Sequence, residues 1–119
     1  MKKTLVLGAS TKPERYGNIA TRRLKLYNHE VVPVGNRAGE IDGIDILLGK
    51  PEVAGIDTVT LYLNPKRQVE FYDYIIGLKP KRIIFNPGTE NSELVKLAKE
   101  NGIESEIACT LVLLSVGQY

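Results

Sequence analysis

Apolar runs of strand composition alternate along the whole chain with segments of helical periodicity, and no two strong strands are joined by a hairpin turn. Each strand must then cross through a helix to a parallel neighbour, which gives right-handed βαβ units. The strands read as residues 3–7, 30–34, 58–63, 82–85 and, more weakly, 103–107. A continuous run such as Lys3-Thr4-Leu5-Val6-Leu7 suits a strand buried on both faces. The first helix is expected over 18–28, with Ile19, Ala20, Leu24 and Tyr27 inward and Arg22, Arg23 and Lys25 on a solvated face. The second has Asn64 as cap and Pro65 at its first position, then runs over 66–78 with Val69, Tyr72, Ile75 and Ile76 as a buried stripe. Asn91 or Ser92 caps a third helix that Gly102 stops. The expected architecture is α/β: a Rossmann-like, doubly wound, mostly parallel sheet of about five strands with helices on both faces. The chain reads as one domain over residues 1–119.

Three stretches are less regular. Pro33 should take the carboxyl end of its strand out of the ladder. Ile41-Asp42-Gly43 reads as a turn before a short edge strand over 44–48, and 110–116 as a short helix or an extended tail.

In such sheets ligands sit beyond the carboxyl ends of the strands, where the strand order reverses. The loops there are 8–17, 35–39, Asn64-Pro65 and 86–90, the polar, glycine- and asparagine-rich parts of the chain. The first combines small residues, Gly8-Ala9-Ser10-Thr11, with Lys12 and Arg15, and it opens a helix. A strand, a small-residue turn and a helix start together suit a phosphate. If phosphate lies over this loop, a side chain at Gly8 should block its approach or strain the turn. The dinucleotide and P-loop glycine patterns are both absent. The second strand ends Val34-Gly35-Asn36-Arg37, with no acid before Glu40. A cation at that point suits a ribose bearing an extra phosphate, as NADP and coenzyme A do. A plain exposed loop arginine is the competing reading.

Composition narrows the remaining classes. With 43% hydrophobic and 25% charged residues and a formal charge of +2, the chain reads as an ordinary globular protein without a nucleic-acid stripe. The apolar stretch after Met1-Lys2-Lys3 is too short for a signal peptide, and no run reaches membrane-span length, so a cytoplasmic location is expected. A single cysteine and a single histidine cannot form a metal cluster between them. His29 reads as a surface turn residue, and Cys109 as a small core residue rather than a nucleophile. Glu90 and Glu93 read as first-turn charges favouring a helix dipole. No catalytic arrangement emerges from spacing.

Gly8-Ala9-Ser10 with Lys12-Pro13-Glu14-Arg15, then Val32-Pro33-Val34, Asn86-Pro87-Gly88 and Asn91-Ser92-Glu93, and a cysteine after the last strand, occur in a familiar order. In this the chain resembles the small single-domain coenzyme A-binding proteins, themselves similar to the nucleotide-binding domain at the start of the succinyl-CoA synthetase α subunit. The resemblance covers nearly the whole chain, from Leu5 to Cys109. It implies CoA phosphates on Gly8, Ala9, Ser10 and Thr11 with Lys12 and Arg15 nearby, and adenosine near Val34, Asn36 and Arg37. It also implies a pantetheine arm past Leu63-Asn64 and Pro87-Gly88. Two departures stand out: Gly35-Asn36-Arg37 replaces the family's frequent Asn-Pro, and the segment after Cys109 is unusually apolar. The synthetase's phosphohistidine belongs to a later domain, so its ligase chemistry is not implied. The expectation is a protein that binds coenzyme A or an acyl-CoA without catalysis, with a protein partner possible. An NADP-dependent enzyme and an interaction module that has lost its ligand are the alternatives.

Overall fold

Strand β1 (Thr4–Leu7) is fully buried and lies near the middle of the molecule, as its unbroken apolar composition requires. The computed structural model describes Met1–Tyr119. After β1 come α1 (Tyr16–Leu26), β2 (Val31–Gly35), β3 (Glu40–Ile41), β4 (Ile44–Asp45), β5 (Leu47–Leu48) and β6 (Thr58–Leu61). The second half holds α2 (Pro65–Gln68), α3 (Tyr72–Leu78), β7 (Arg82–Phe85), α4 (Ser92–Glu100), β8 (Glu104–Ile107) and α5 (Thr110–Ser115). The main sheet has the order β5-β2-β1-β6-β7-β8, and every pairing in it is parallel. It therefore has 6 strands rather than about five, and the order reverses between β1 and β6, the doubly wound switch point.

Strand alternation distributes the core to both faces. Leu5, Leu7, Val59, Leu61, Ile83 and Phe85 pack on Ile75 of α3 and on Leu94 and Ala98 of α4. On the other face, Val6 and Val31 pack on Leu24 of α1 and Leu114 of α5. Thr60 faces that second side and meets Thr110 Oγ1 at 2.8 Å, while the Asn86 side chain donates to Thr60 Oγ1 (2.6 Å) and accepts from Thr110 N (2.8 Å). This buried network docks α5, so the 110–116 segment is a helix and not an extended tail.

Several local expectations are corrected. The expected turn before the edge strand is present at Asp42 and Gly43, both with positive φ (+50° and +82°), but it joins an antiparallel hairpin, β3–β4. Edge-strand pairing is confined to Leu47 and Leu48 instead of extending over 44–48. Pro33 stays in the ladder opposite Val6, because β5 joins β2 only at Val34 and Gly35, beyond the proline. The first helix begins at Tyr16, two residues before the expected start. The second is interrupted by a 3₁₀ turn over Val69–Phe71. Three residues at about 120° rather than about 100° each rotate the following helix by roughly 60°. Val69, the first residue of that turn, is 55% exposed, and Gln68 before it is fully buried.

At the amino ends of the strands His29 is partly buried, its Nδ1 accepting from Lys2 N at 3.0 Å and its ring 4.9 Å from Tyr119. Burial, with the positive charges of Lys2 and Arg82 nearby, holds the imidazole below its ordinary value of 6.5. On acidification the unfolded chain takes up this proton first, so stability falls as pH drops from about 6.5 towards the folded value. The melting temperature should decrease between about pH 7 and pH 5, and His29→Gln should flatten that slope. An unchanged slope in the variant would remove His29 from the linkage.

Candidate functional site

The loop after β1 is held down by its own backbone. The amides of Gly8 and Ala9 both donate to Val34 O at 2.9 Å, so neither is left to meet a ligand. Gly8 has φ +105°, and a Cβ there would lie 2.9 Å from the Tyr62 carbonyl carbon, pointing into the neighbouring strand exit rather than outward. Gly17 and Gly35 allow the same close packing: a Cβ on either would come within 2.4 Å of a loop carbonyl oxygen. Further along, Ser10 Oγ accepts from Lys12 N (3.1 Å), and the buried Asn18 side chain donates to Ser10 O (2.8 Å). Arg22, expected on a solvated face, donates to Asn18 Oδ1 and to Pro13 O, bracing the loop from behind. Arg15 occupies the α1 N-cap without capping it by its side chain. Its guanidinium, which can only donate, makes no ion pair within the chain.

Three adjoining clefts open over the switch point. The first, about 320 Å³, is lined by Leu7, Gly8, Ala9, Val34, Gly35 and Asn36 from β1 and β2, and by Tyr62, Leu63, Glu70 and Phe71 from the β6 side. The second, about 380 Å³, lies between Gly8, Tyr16 and Gly17 on one wall and Leu63, Asn64, Pro87 and Gly88 on the other. The third, about 270 Å³, is lined by Ala9, Ser10, Thr11, Lys12, Asn36 and Arg37. Arg15 and Arg67 line all three. Every residue singled out from the sequence as a ligand contact therefore borders one continuous rim.

The electrostatics of the third cleft are one-sided. Lys12, Arg15, Arg37 and Arg67 are all exposed and converge on the third cleft, which no carboxylate lines. The ion pairs of the molecule are Lys3–Glu30, Lys25–Asp42, Lys81–Asp57 and Arg82–Glu106, so none of the four rim cations is neutralised within the chain. Converging cations without an internal partner give this cleft a positive potential that would attract a multiply charged anion.

The walls are fixed by a buried amide. Gln68 Nε2 donates to Leu63 O (2.8 Å) and Thr89 O (2.9 Å), and its Oε1 accepts from Asn91 Nδ2 (2.9 Å). It thereby ties the exit of β6 to the loop after β7. Asn64 caps α2, with Arg67 N donating to its Oδ1 at 3.0 Å. This sets Arg67 in the first turn of that helix, on the rim. Glu90 is not simply a helix-dipole charge, because its carboxylate accepts from Gly88 N at 2.8 Å and engages that amide.

Residues 2–115 match the model of a family described as CoA binding domain. The chain belongs to the CoA binding domain family. Among solved structures, an uncharacterized protein is 55% identical with a TM-score of 0.97, covering 100% of this chain and 98% of that one. A hypothetical protein from Pyrococcus horikoshii OT3 is 31% identical with a TM-score of 0.84, over 93% of this chain and 80% of that one. The dinucleotide forming acetyl-coenzyme A synthetase 1 of Ca. Korarchaeum cryptofilum, solved with phosphate and ADP, shares the fold at 21% identity and a TM-score of 0.73. There the match covers 87% of this chain and 25% of that one. No curated protein matches the chain significantly.

Within this family member the sequence left Arg67, Glu70, Phe71 and Tyr62 unassigned. Arg67 was legible only as one cation in a helix; its place follows from the Asn64-Pro65 start, which aims the first helical turn at the switch point. The Tyr62 hydroxyl is buried near Thr60 and Thr110 without a hydrogen bond to either, and burial raises its phenol far above the ordinary value of 10.0. Cys109 is half-buried at the N-cap of α5 and lines none of the three clefts. No helix is long and apolar enough to cross a membrane.

Proposed function

We propose that the chain, as a single domain over its length, binds coenzyme A or an acyl-CoA and serves as a carrier, sensor or partner module without a reaction of its own. The observation that carries this reading is the convergence of Lys12, Arg15, Arg37 and Arg67, none paired with an acid, beside the first cleft, where Leu7, Val34, Leu63 and Phe71 offer apolar contact. Coenzyme A has the matching distribution: a pyrophosphate and a ribose phosphate close to an adenine, and a long neutral arm. Pyrophosphate is assigned to Arg15 and the hydroxyl-bearing part of the loop, Ser10-Thr11. The adenosine is assigned beside Val34 and Asn36, the ribose phosphate to Arg37, and the arm to the passage between Leu63-Asn64 and Pro87-Gly88.

The test is calorimetric titration with CoA, 3′-dephospho-CoA, NADP and NAD. CoA is expected to bind, and binding of NADP alone would sink the proposal in favour of an oxidoreductase. A thermal-shift panel in which no nucleotide stabilises the protein would favour an interaction module instead. Arg37→Ala separates the phosphates. It should weaken CoA by roughly one to two decades and leave 3′-dephospho-CoA nearly unchanged, as for loss of a charge-assisted bond of about 1.5–3 kcal/mol. Equal weakening of both ligands would mean that Arg37 does not hold the ribose phosphate.

A further inference from the structure

Glu70 is the one carboxylate among the residues lining the three clefts, and it stands in the first of them, with Arg15 and Arg67 lining the same cleft. Its side chain has no ion pair and no hydrogen bond, although cations share its cleft. An unpaired acid at a rim built for anions opposes phosphate binding electrostatically, so a merely solvated role would be better filled by a neutral residue. Its position is set by the 3₁₀ turn, which brings Glu70 and Phe71 to the cleft together. Phe71 belongs to the wall that packs on the main core, and Leu7, Val34 and Leu63 complete the apolar lining. At about 320 Å³ the cleft is at the small end of ligand sites, about 300–1,000 Å³, and suits a flat ring more than a chain with a head group.

We infer that Glu70 selects the base of the bound nucleotide, accepting a hydrogen bond from an exocyclic amino group while Phe71 and the aliphatic residues hold the ring. The inference rests on the CoA reading, in which the base is adenine and presents such an amine. A hypoxanthine in the same place turns a carbonyl oxygen towards the carboxylate, so an attraction becomes a repulsion and the acid loses its donor. Sites built around a polar contact reject analogues that lack it far more strongly than apolar pockets reject a changed shape.

The experiment is calorimetric titration of CoA, its hypoxanthine analogue and its guanine analogue into the wild-type protein and into Glu70→Gln. Wild-type protein should prefer the adenine form over hypoxanthine by about 10–100-fold, as for a hydrogen bond to a charged group. In Glu70→Gln, whose amide can also donate to a carbonyl, the preference should shrink to about 3-fold or less. Because Glu70 is exposed and unpartnered, the melting temperature should not change. Tight CoA binding with no base preference, or a preference that Glu70→Gln leaves intact, overturns this inference alone. Tighter binding of the guanine form also overturns it, since the carboxylate would then be reading a ring N–H with its neighbouring amine. Failure of all three to bind overturns both this assignment and the CoA reading beneath it.

Discussion

Gly8→Val is expected to lower the melting temperature by on the order of 10–20 °C. At φ +105° the backbone of Gly8 lies where a branched side chain is strongly disfavoured, at a cost of about 1–3 kcal/mol. The new Cβ would also meet the Tyr62 carbonyl carbon at 2.9 Å, its oxygen at 3.0 Å and Leu63 Cδ2 at 3.2 Å. Tyr62 cannot retreat cheaply, because its amide donates to Leu7 O at 2.8 Å and continues the ladder between the two central strands. Overpacking of that kind costs about 1–3 kcal/mol more. The combined loss, about 2–6 kcal/mol, is a large part of the roughly 5–15 kcal/mol that holds a domain together. Differential scanning calorimetry reads the effect directly. Lost CoA affinity at an unchanged melting temperature would show instead that the glycine is needed for the ligand's approach, as the sequence suggested.

Arg67→Ala should produce the other large effect, and on binding alone. Arg67 shares all three clefts with Arg15, and neither guanidinium has a partner within the chain. Removing either should raise the dissociation constant of CoA by about one to two decades, the loss expected for a charge-assisted phosphate contact. Arg15→Ala should weaken CoA and 3′-dephospho-CoA alike, since the pyrophosphate common to both is its assigned partner. Stability should move little, as both side chains are exposed. The double variant need not lose the sum of the single losses, because neighbouring cations facing one anion are coupled. Affinity should fall with added salt in the wild type and less steeply in each variant. If both single variants bind CoA as tightly as the wild type, the phosphates lie away from this rim.

Much of the site was readable from one dimension because βα connections in a parallel sheet all emerge at the same end. Once Leu5, Val32, Val59 and Ile83 were recognised as strand residues, the loops that follow them had to meet. That brought Gly8, Arg15, Asn36, Asn64 and Pro87 to one rim without any knowledge of distances. Cap chemistry was equally local. Asn64 accepts from Arg67 N, and Asn91 from Glu93 N and Leu94 N, each within its own helical turn. The β3–β4 hairpin was also legible in principle, since Asp42-Gly43 between Ile41 and Ile44 is a strong two-residue hairpin signal.

What the sequence by itself determined is therefore the alternation, the parallel sheet, the starts of the second and third long helical segments and the identity of the loops at the carboxyl ends of the strands. These depend on periodicity and on residues a turn apart. Only the tertiary structure decided that Gln68 rather than Val69 turns inward, because a buried amide is stable there only with Leu63 O, Thr89 O and Asn91 already in place. A 3₁₀ turn over Val69–Phe71 follows directly, and Glu70 and Phe71 in it line the first cleft. The direction of a Cβ on Gly8 was likewise settled by the neighbouring strand, not by the loop that contains it. Local pattern names the loops; which side chains and carbonyls confront one another across them is set by contacts between residues distant in the chain, which periodicity does not encode.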